Sequence, residues 1–221
     1  MPAGRSQEKR RFLHISYGKF REKAGENEDG AEVRTNKDGK SIWEFVFDYV
    51  EGQVTKIFHK EDDKYGNSFE VMIDDNVDKF QVSFKEGDSF FNDFFSKLPN
   101  VNLEKWIKIV PYDFEDKNTG KQKRGLVIWQ DEAKIESRFA SYDKEMKKFS
   151  YLEGFPEPEK KMDKEDWKIY FIKVVKFLRN HTNNKIIPIL KDNTNELVDN
   201  TVYNDIPEAI VPVTNNDDLP F

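Results

Sequence analysis

Apolar and polar residues alternate over much of this chain, with the two-residue period of half-buried strands. Arg10 to Phe20 predicts a first strand, with Phe12, His14, Ser16 and Gly18 on one face and Leu13, Ile15 and Tyr17 on the other. Arg21 to Gly39 is rich in Gly, Glu, Asn, Asp and Lys and predicts a long hairpin loop or short edge excursion. From Ser41 to Lys60 the chain is aromatic and β-branched. Trp43, Phe45, Phe47 and Tyr49 share one face, Ile42, Val46 and Val50 the other, and Gly52 marks a bulge or bend. Strands at Ser68 to Ile73 and Lys79 to Phe84 flank an Asp-rich turn at Asp74 to Asn76. Further strands are predicted at Lys105 to Tyr112, Arg124 to Gln130 and Lys134 to Phe139, the first two joined by a turn at Lys117 to Gly120.

The period changes to that of a helix twice. After Asp88 or Ser89, either of which can cap, Phe90, Phe91, Phe94, Phe95 and Leu98 form a stripe that Pro99 ends. Beyond a proline-containing linker at Gly154 to Lys160, Asp163 to Asn180 predicts the longest helix. Its buried stripe is Trp167, Tyr170, Phe171, Val174, Val175 and Leu178. Ile186 to Leu190 reads as a last extended piece. Strands, a short helix and then more strands is the order of an OB-fold barrel, with Ser41 to Lys60 as its long curved strand. The expected fold is therefore mainly β (α+β): an OB-fold-like Greek-key β-barrel with a short helix between strands and an additional C-terminal helix. Other small barrels and sandwiches share this pattern. Residues 1–9 are expected to be a flexible arm, 10–190 the folded domain, and 191–221 a disordered acidic tail.

Composition sharpens this division. Aromatics reach 14% in a chain that is 35% charged, and charge-rich disordered chains lack aromatics, so a folded core is expected. All 36 lysines and arginines lie before Asp192, whereas seven of the 42 acids lie from Asp192 onward. The net charge of -6 thus averages a near-neutral body and a tail near -7. There is no cysteine, which excludes disulfides and thiolate metal sites. The polar, basic start has no apolar signal region and no run approaches the roughly 20 apolar residues that span a bilayer, so a cytoplasmic protein without membrane contact is expected.

No catalytic constellation emerges. His14, His59 and His181 are scattered without zinc-ligand spacing, and there is no nucleophile elbow, Walker loop or dinucleotide fingerprint. Neither an enzyme nor a metal or other cofactor is expected. Binding of single-stranded nucleic acid fits better, since it needs cations for phosphates and aromatic faces for bases. Arg34, Lys37 and Lys40 precede Trp43, Phe45 and Phe47; Lys56 and Lys60 flank Phe58. Lys121, Lys123 and Arg124 precede Trp129, while Lys134 and Arg138 flank Phe139. Any one of Trp43, Phe45 and Phe47 serves a core equally well, and Trp106 and Trp167 are expected in the core.

The chain ends in Asp217-Asp218-Leu219-Pro220-Phe221, an apolar hook behind an acidic pair, suited to a shallow apolar pocket with a basic rim. This tip resembles the one that ends bacterial single-stranded DNA-binding proteins, where it recruits replication and repair enzymes. The body is similar to the single-stranded DNA-binding proteins of bacteriophages. The segments that carry the similarity are Trp43-Glu44-Phe45-Val46-Phe47-Asp48-Tyr49 with Gly52, Lys97-Leu98-Pro99-Asn100-Val101-Asn102-Leu103, Val110-Pro111-Tyr112, and Gly154-Phe155-Pro156-Glu157-Pro158 before Asp166-Trp167. The resemblance implies an OB-type core that coats and protects single-stranded DNA in phage replication, recombination or repair, in the cytoplasm of a bacterial host. It also implies recruitment of a polymerase, helicase, primase or recombinase by the tip. Exposed aromatic stripes would also support a homo-oligomer. The competing expectations are an OB-fold protein-interaction adaptor without DNA binding and a recombination mediator that anneals strands.

Overall fold

The computed structural model describes residues 10–36, 38–152 and 154–192, with residues 191 and 192 as backbone only. The chain turns back sooner than its alternation predicts. β1 (Arg10–Ser16) and β2 (Lys19–Lys23) are joined by Tyr17-Gly18, with φ of 51° and 67°. Two residues at positive φ make the hairpin turn whose twist matches the flanking strands. The single strand expected over Arg10 to Phe20 is thus a hairpin, and a bulky tyrosine at positive φ gives no turn signal in the sequence. A Cβ on Gly18 would stand 2.6 Å from the backbone nitrogen of Asp113, so the turn sits directly against a later strand.

β3 (Glu32–Thr35) and β4 (Ser41–Phe47) form the next hairpin, and β5 (Val50–Lys60) starts after only Asp48 and Tyr49. The break expected at Gly52 therefore falls at residues 48–49. Gly52 lies inside β5, at φ +155°, and a Cβ there would meet the Asp74 carbonyl oxygen at 2.5 Å and Ile73 Cγ2 at 2.9 Å. The β5–β6 register shifts two residues later, between Val54 and Lys56. Because backbone must give way, Gly52→Ala is expected to cost roughly 1–3 kcal/mol. Urea unfolding measures this, and a change below about 0.5 kcal/mol would mean that β5 can move off Asp74.

β6 (Ser68–Asp74) and β7 (Lys79–Lys85) continue the meander, and the turn between them is held by Asp75 Oδ1, which accepts from the amides of Val77 at 2.9 Å and Asp78 at 2.6 Å. α1 (Ser89–Lys97) is capped by Asp88, which accepts from the Phe90 amide at 3.0 Å. β8 (Trp106–Glu115), β9 (Gln122–Gln130) and the short β10 (Ala133–Ile135) follow. A separate hairpin, β11 (Ala140–Asp143) with β12 (Lys148–Tyr151), was not legible in the alternation. α2 (Lys164–His181) has a capping box at Asp163 and Asp166 and runs through a π-type turn into α3 (Ile187–Asp192). The extended piece expected over Ile186 to Leu190 is helical instead; Pro188 stands just past the π-type turn, where its missing N–H interrupts the hydrogen-bond ladder of the continuous helix. Within α2, Val174 and Leu178 are buried, whereas Trp167, Tyr170, Phe171 and Val175 are half-buried.

The fold is mainly β, at 44% strand and 22% helix. Ten strands form one mixed sheet in the order β10-β9-β8-β5-β6-β7-β1-β2-β4-β3. All neighbours are antiparallel except β1 and β7, which run parallel. Among the described residues no pairing closes the sheet on itself. The outer edge of β7 is occupied by β1, and the opposite end is sealed by a helix: Asp93 Oδ2 of α1 accepts from the Leu126 amide of β9 at 2.7 Å, and Lys97 donates from Nζ to the Leu126 carbonyl. These side chains stand in for a missing strand. The core lies on the α1 side, where Phe69, Phe84, Phe91, Phe94 and Phe95 are fully buried, with Phe84 stacked on Phe94 at 4.6 Å. No helix among the described residues is long and apolar enough to cross a membrane.

Candidate nucleic-acid interface

Alternation along β8 sends Ile107, Ile109 and Pro111 into the core and turns Trp106, Lys108, Val110, Tyr112 and Phe114 to the other face. The register extends that face across the sheet. Trp129 stands opposite Lys108, Lys134 opposite Trp129, and Glu51 opposite Lys108. The result is a transverse row, Lys134–Trp129–Lys108–Glu51, with Trp106 one step along β8 and opposite Gln53. Trp106 and Trp129 are 43% and 40% exposed. The Lys108 ammonium lies 3.8 Å from the centre of the Tyr49 ring, a cation–π contact that holds a positive charge at the surface. Farther along the same face Phe114, also exposed, pairs with Lys123.

Beside Trp106 the face opens into a cleft of about 390 Å³, lined by Phe47, Tyr49, Phe80 and Trp106 with the carboxylates Glu51 and Asp75. Two of these rings also pack on Arg11, which does not line the cleft: its guanidinium is 4.7 Å from the Phe47 ring centre and 5.7 Å from that of Phe80. Arg11 is held by Glu22 and Asp78 at 2.6 and 3.2 Å. The Glu51 side chain makes no hydrogen bond or ion pair among the described residues.

A second charged cluster lies on the β1–β2–β4–β3 part of the sheet. Glu44, 2% exposed, accepts from Arg34 at 2.7 and 2.9 Å and from Arg21 at 3.0 Å, with His14 at 3.5 Å. Burial pushes the Glu44 carboxyl up, but the hydrogen bonds and charges of Arg34 and Arg21 outweigh it and hold the pKa below the ordinary value. His14 is pushed down, first by burial and then by the two arginine charges, although Glu44 pulls the other way. This cluster is structural glue between four strands.

The structure separates the residues expected from sequence. Trp129 and Lys134 meet in the transverse row, and Lys123 lies farther along the same face of β9. Lys123 is paired with Asp116, whose carboxyl is held down to about 2, first by that lysine and then by the amides of Asn118 and Thr119. Arg124 is on the opposite face, bound to Asp113 at 2.9 Å, and Lys121 is exposed in the β8–β9 turn. Lys56 and Phe58 lie past the bulge in β5, away from β8 and beside Ile187 and Leu190 of α3. Lys40 is exposed at the β3–β4 turn, and Trp43 and Phe45 are half-buried on β4, on the face opposite Glu44. Arg138 is exposed, its amide donating to Ser96.

Two expectations are corrected for exposure and one for charge. Phe139 is not a surface stacker: it is 2% exposed, parallel to Phe155 at 5.5 Å and edge-on to Phe177 at 5.0 Å. The strand expected to carry it ends at Ile135, and the chain then turns under α2. Trp106, expected in the core, is on the open face; Lys108, two residues on, was the signal, since a lysine on the same strand face marks the solvent side. Arg34 does not offer a free charge, because its Nε and Nη2 both donate to buried Glu44. Lys37, the arm at residues 1–9 and the tip Asp217, Asp218, Leu219, Pro220 and Phe221 lie outside the described residues. Among those described, no cluster of acids and histidines has the arrangement to hold a metal ion. Comparison of the chain with protein-family models, with curated proteins and with solved structures finds no match in any of the three.

Proposed function

We propose that this chain is a non-enzymatic protein that binds single-stranded DNA without requiring a fixed sequence, coats it during phage replication, recombination or repair, and recruits replication or repair proteins through its acidic tip. The observation that carries the reading is the in-register row Lys134–Trp129–Lys108 beside Trp106, which alternates cations and half-exposed indoles on one face of the sheet. Single-strand binding draws its energy from this combination, phosphates on lysines and bases on aromatic planes. An OB-type core is supported by the order β7-β6-β5-β8-β9, with α1 between β7 and β8 in sequence, and by the long bulged β5. In this reading β1 occupies the edge of β7 where a fifth barrel strand would pair.

The test is fluorescence anisotropy of a labelled, mixed-sequence single strand against a duplex of equal length, at two salt concentrations. Tighter binding to the single strand is expected, with log K falling by roughly 0.7 per neutralised phosphate for each unit of log salt. No binding at low salt would overturn the reading. A protein-interaction adaptor would then lead, favoured by the exposed Tyr142 and Phe149 of β11–β12 and Ile169 and Ile172 of α2.

A further inference from the structure

The cleft beside Trp106 differs in chemistry from the Lys134–Trp129–Lys108 part of the row. Its exposed aromatic walls are Tyr49 and Trp106, but its polar groups are carboxylates. A phosphate is repelled from such a cleft, so the backbone of a bound strand belongs at its mouth, where Lys108 stands over Tyr49. What enters must then be flat, apolar on its faces and rich in donors on its edge. The cleft's volume of about 390 Å³ lies within the range of small-molecule sites, about 300–1,000 Å³.

We propose that the cleft between β5, β8 and the β6–β7 turn is a nucleobase pocket that prefers bases carrying an exocyclic amino group, cytosine among them, over thymine. Cytosine presents an N4 amino donor, which glutamate and aspartate accept, whereas thymine's one edge donor, N3–H, is flanked by O2 and O4, which meet a carboxylate lone pair to lone pair. Glu51 is the residue that decides. It faces Lys108 across the β5–β8 ladder yet is unpaired among the described residues, and a carboxylate left unpaired beside a cation is available to a ligand. Asp75 is less adaptable, because its Oδ1 already holds the turn through the amides of Val77 and Asp78. The pocket biases base composition at one position of the bound strand and leaves binding elsewhere indifferent to sequence.

This inference rests on the single-strand-binding reading, and the experiment separates the two. Anisotropy titrations of oligo-dC and oligo-dT of equal length, above neutral pH so that cytosine stays uncharged, are run on the full chain, on Glu51→Gln and on Trp129→Ala. The full chain is expected to favour oligo-dC by roughly 5- to 100-fold. In Glu51→Gln, whose amide offers a donor as well as an acceptor, the ratio collapses through a gain for oligo-dT. Trp129→Ala, outside the cleft, weakens both oligonucleotides and keeps the ratio. Equal binding of both by the full chain, or a preference that survives Glu51→Gln, overturns the pocket while single-strand binding stands. Failure of both oligonucleotides to bind overturns both readings. Glu51 is exposed, so its replacement leaves the fold intact, and unfolding midpoints of the variants verify that.

Discussion

Replacing both indoles, Trp106→Ala together with Trp129→Ala, is expected to weaken binding of a mixed-sequence single strand by roughly 30- to 1,000-fold. Stacking of one base on one aromatic contributes roughly 1–3 kcal/mol. Both rings are a little under half exposed, so each offers a face without being a fully open platform, and a joint loss of about 2–4 kcal/mol follows. The salt slope should stay nearly unchanged, because Lys108 and Lys134 remain to meet phosphates. This separates lost stacking from lost charge. Lys108→Ala with Lys134→Ala should do the reverse, flattening the slope while leaving tryptophan quenching by oligonucleotide in place. Binding unaltered in the double indole variant would exclude the β8–β9 face as the interface.

The second large effect concerns stability. Glu44→Ala is expected to destabilise the fold by about 3 kcal/mol in urea unfolding. Breaking a buried ion pair typically costs about 3–5 kcal/mol because a charge is stranded. The low end applies because Arg34 and His14 keep solvent contact, with side chains 29% and 48% exposed. The cost falls on the contact between β2, β3 and β4, whose strands supply Arg21, Arg34 and Glu44. The sign with pH follows from the lowered carboxyl. Its contribution is complete above the ordinary glutamate value of 4.5 and is lost as pH falls through the lower folded value. The unmodified protein should therefore lose more stability than Glu44→Gln between about pH 5 and about pH 3. Equal losses would mean that Glu44 is neutral or solvated in the folded state.

Local chemistry was legible wherever one residue type decides the backbone. The α1 stripe of four phenylalanines, the Asp-rich turn at Asp74 to Asn76 and the start of α2 after Asp163 all follow from short-range patterns, and the structure places each of them there; of the two capping candidates for α1 it takes Asp88. The mainly-β class was legible for the same reason. The candidate face was legible only in part: Trp129 and Lys134 were expected in separate groups and the register brings them together, while Trp106, Lys108 and Tyr49 were missed and Phe139 was misplaced.

What the sequence by itself determined is therefore the period of each segment and which residues alternate together. A strand's two faces are set by covalent geometry, so Trp106 and Lys108 had to share a face whatever the fold. Lys108 marks the solvent side of that strand, but which of its apolar residues are covered was decided by the tertiary structure. β8 carries apolar residues on both sides, and only the packing of α1 and its phenylalanines against one of them made Ile107 and Ile109 core and left Trp106 open. In the same way, only the parallel docking of β1 on β7 brought Arg11 to Phe80, a contact between residues far apart in the chain that no local pattern encodes.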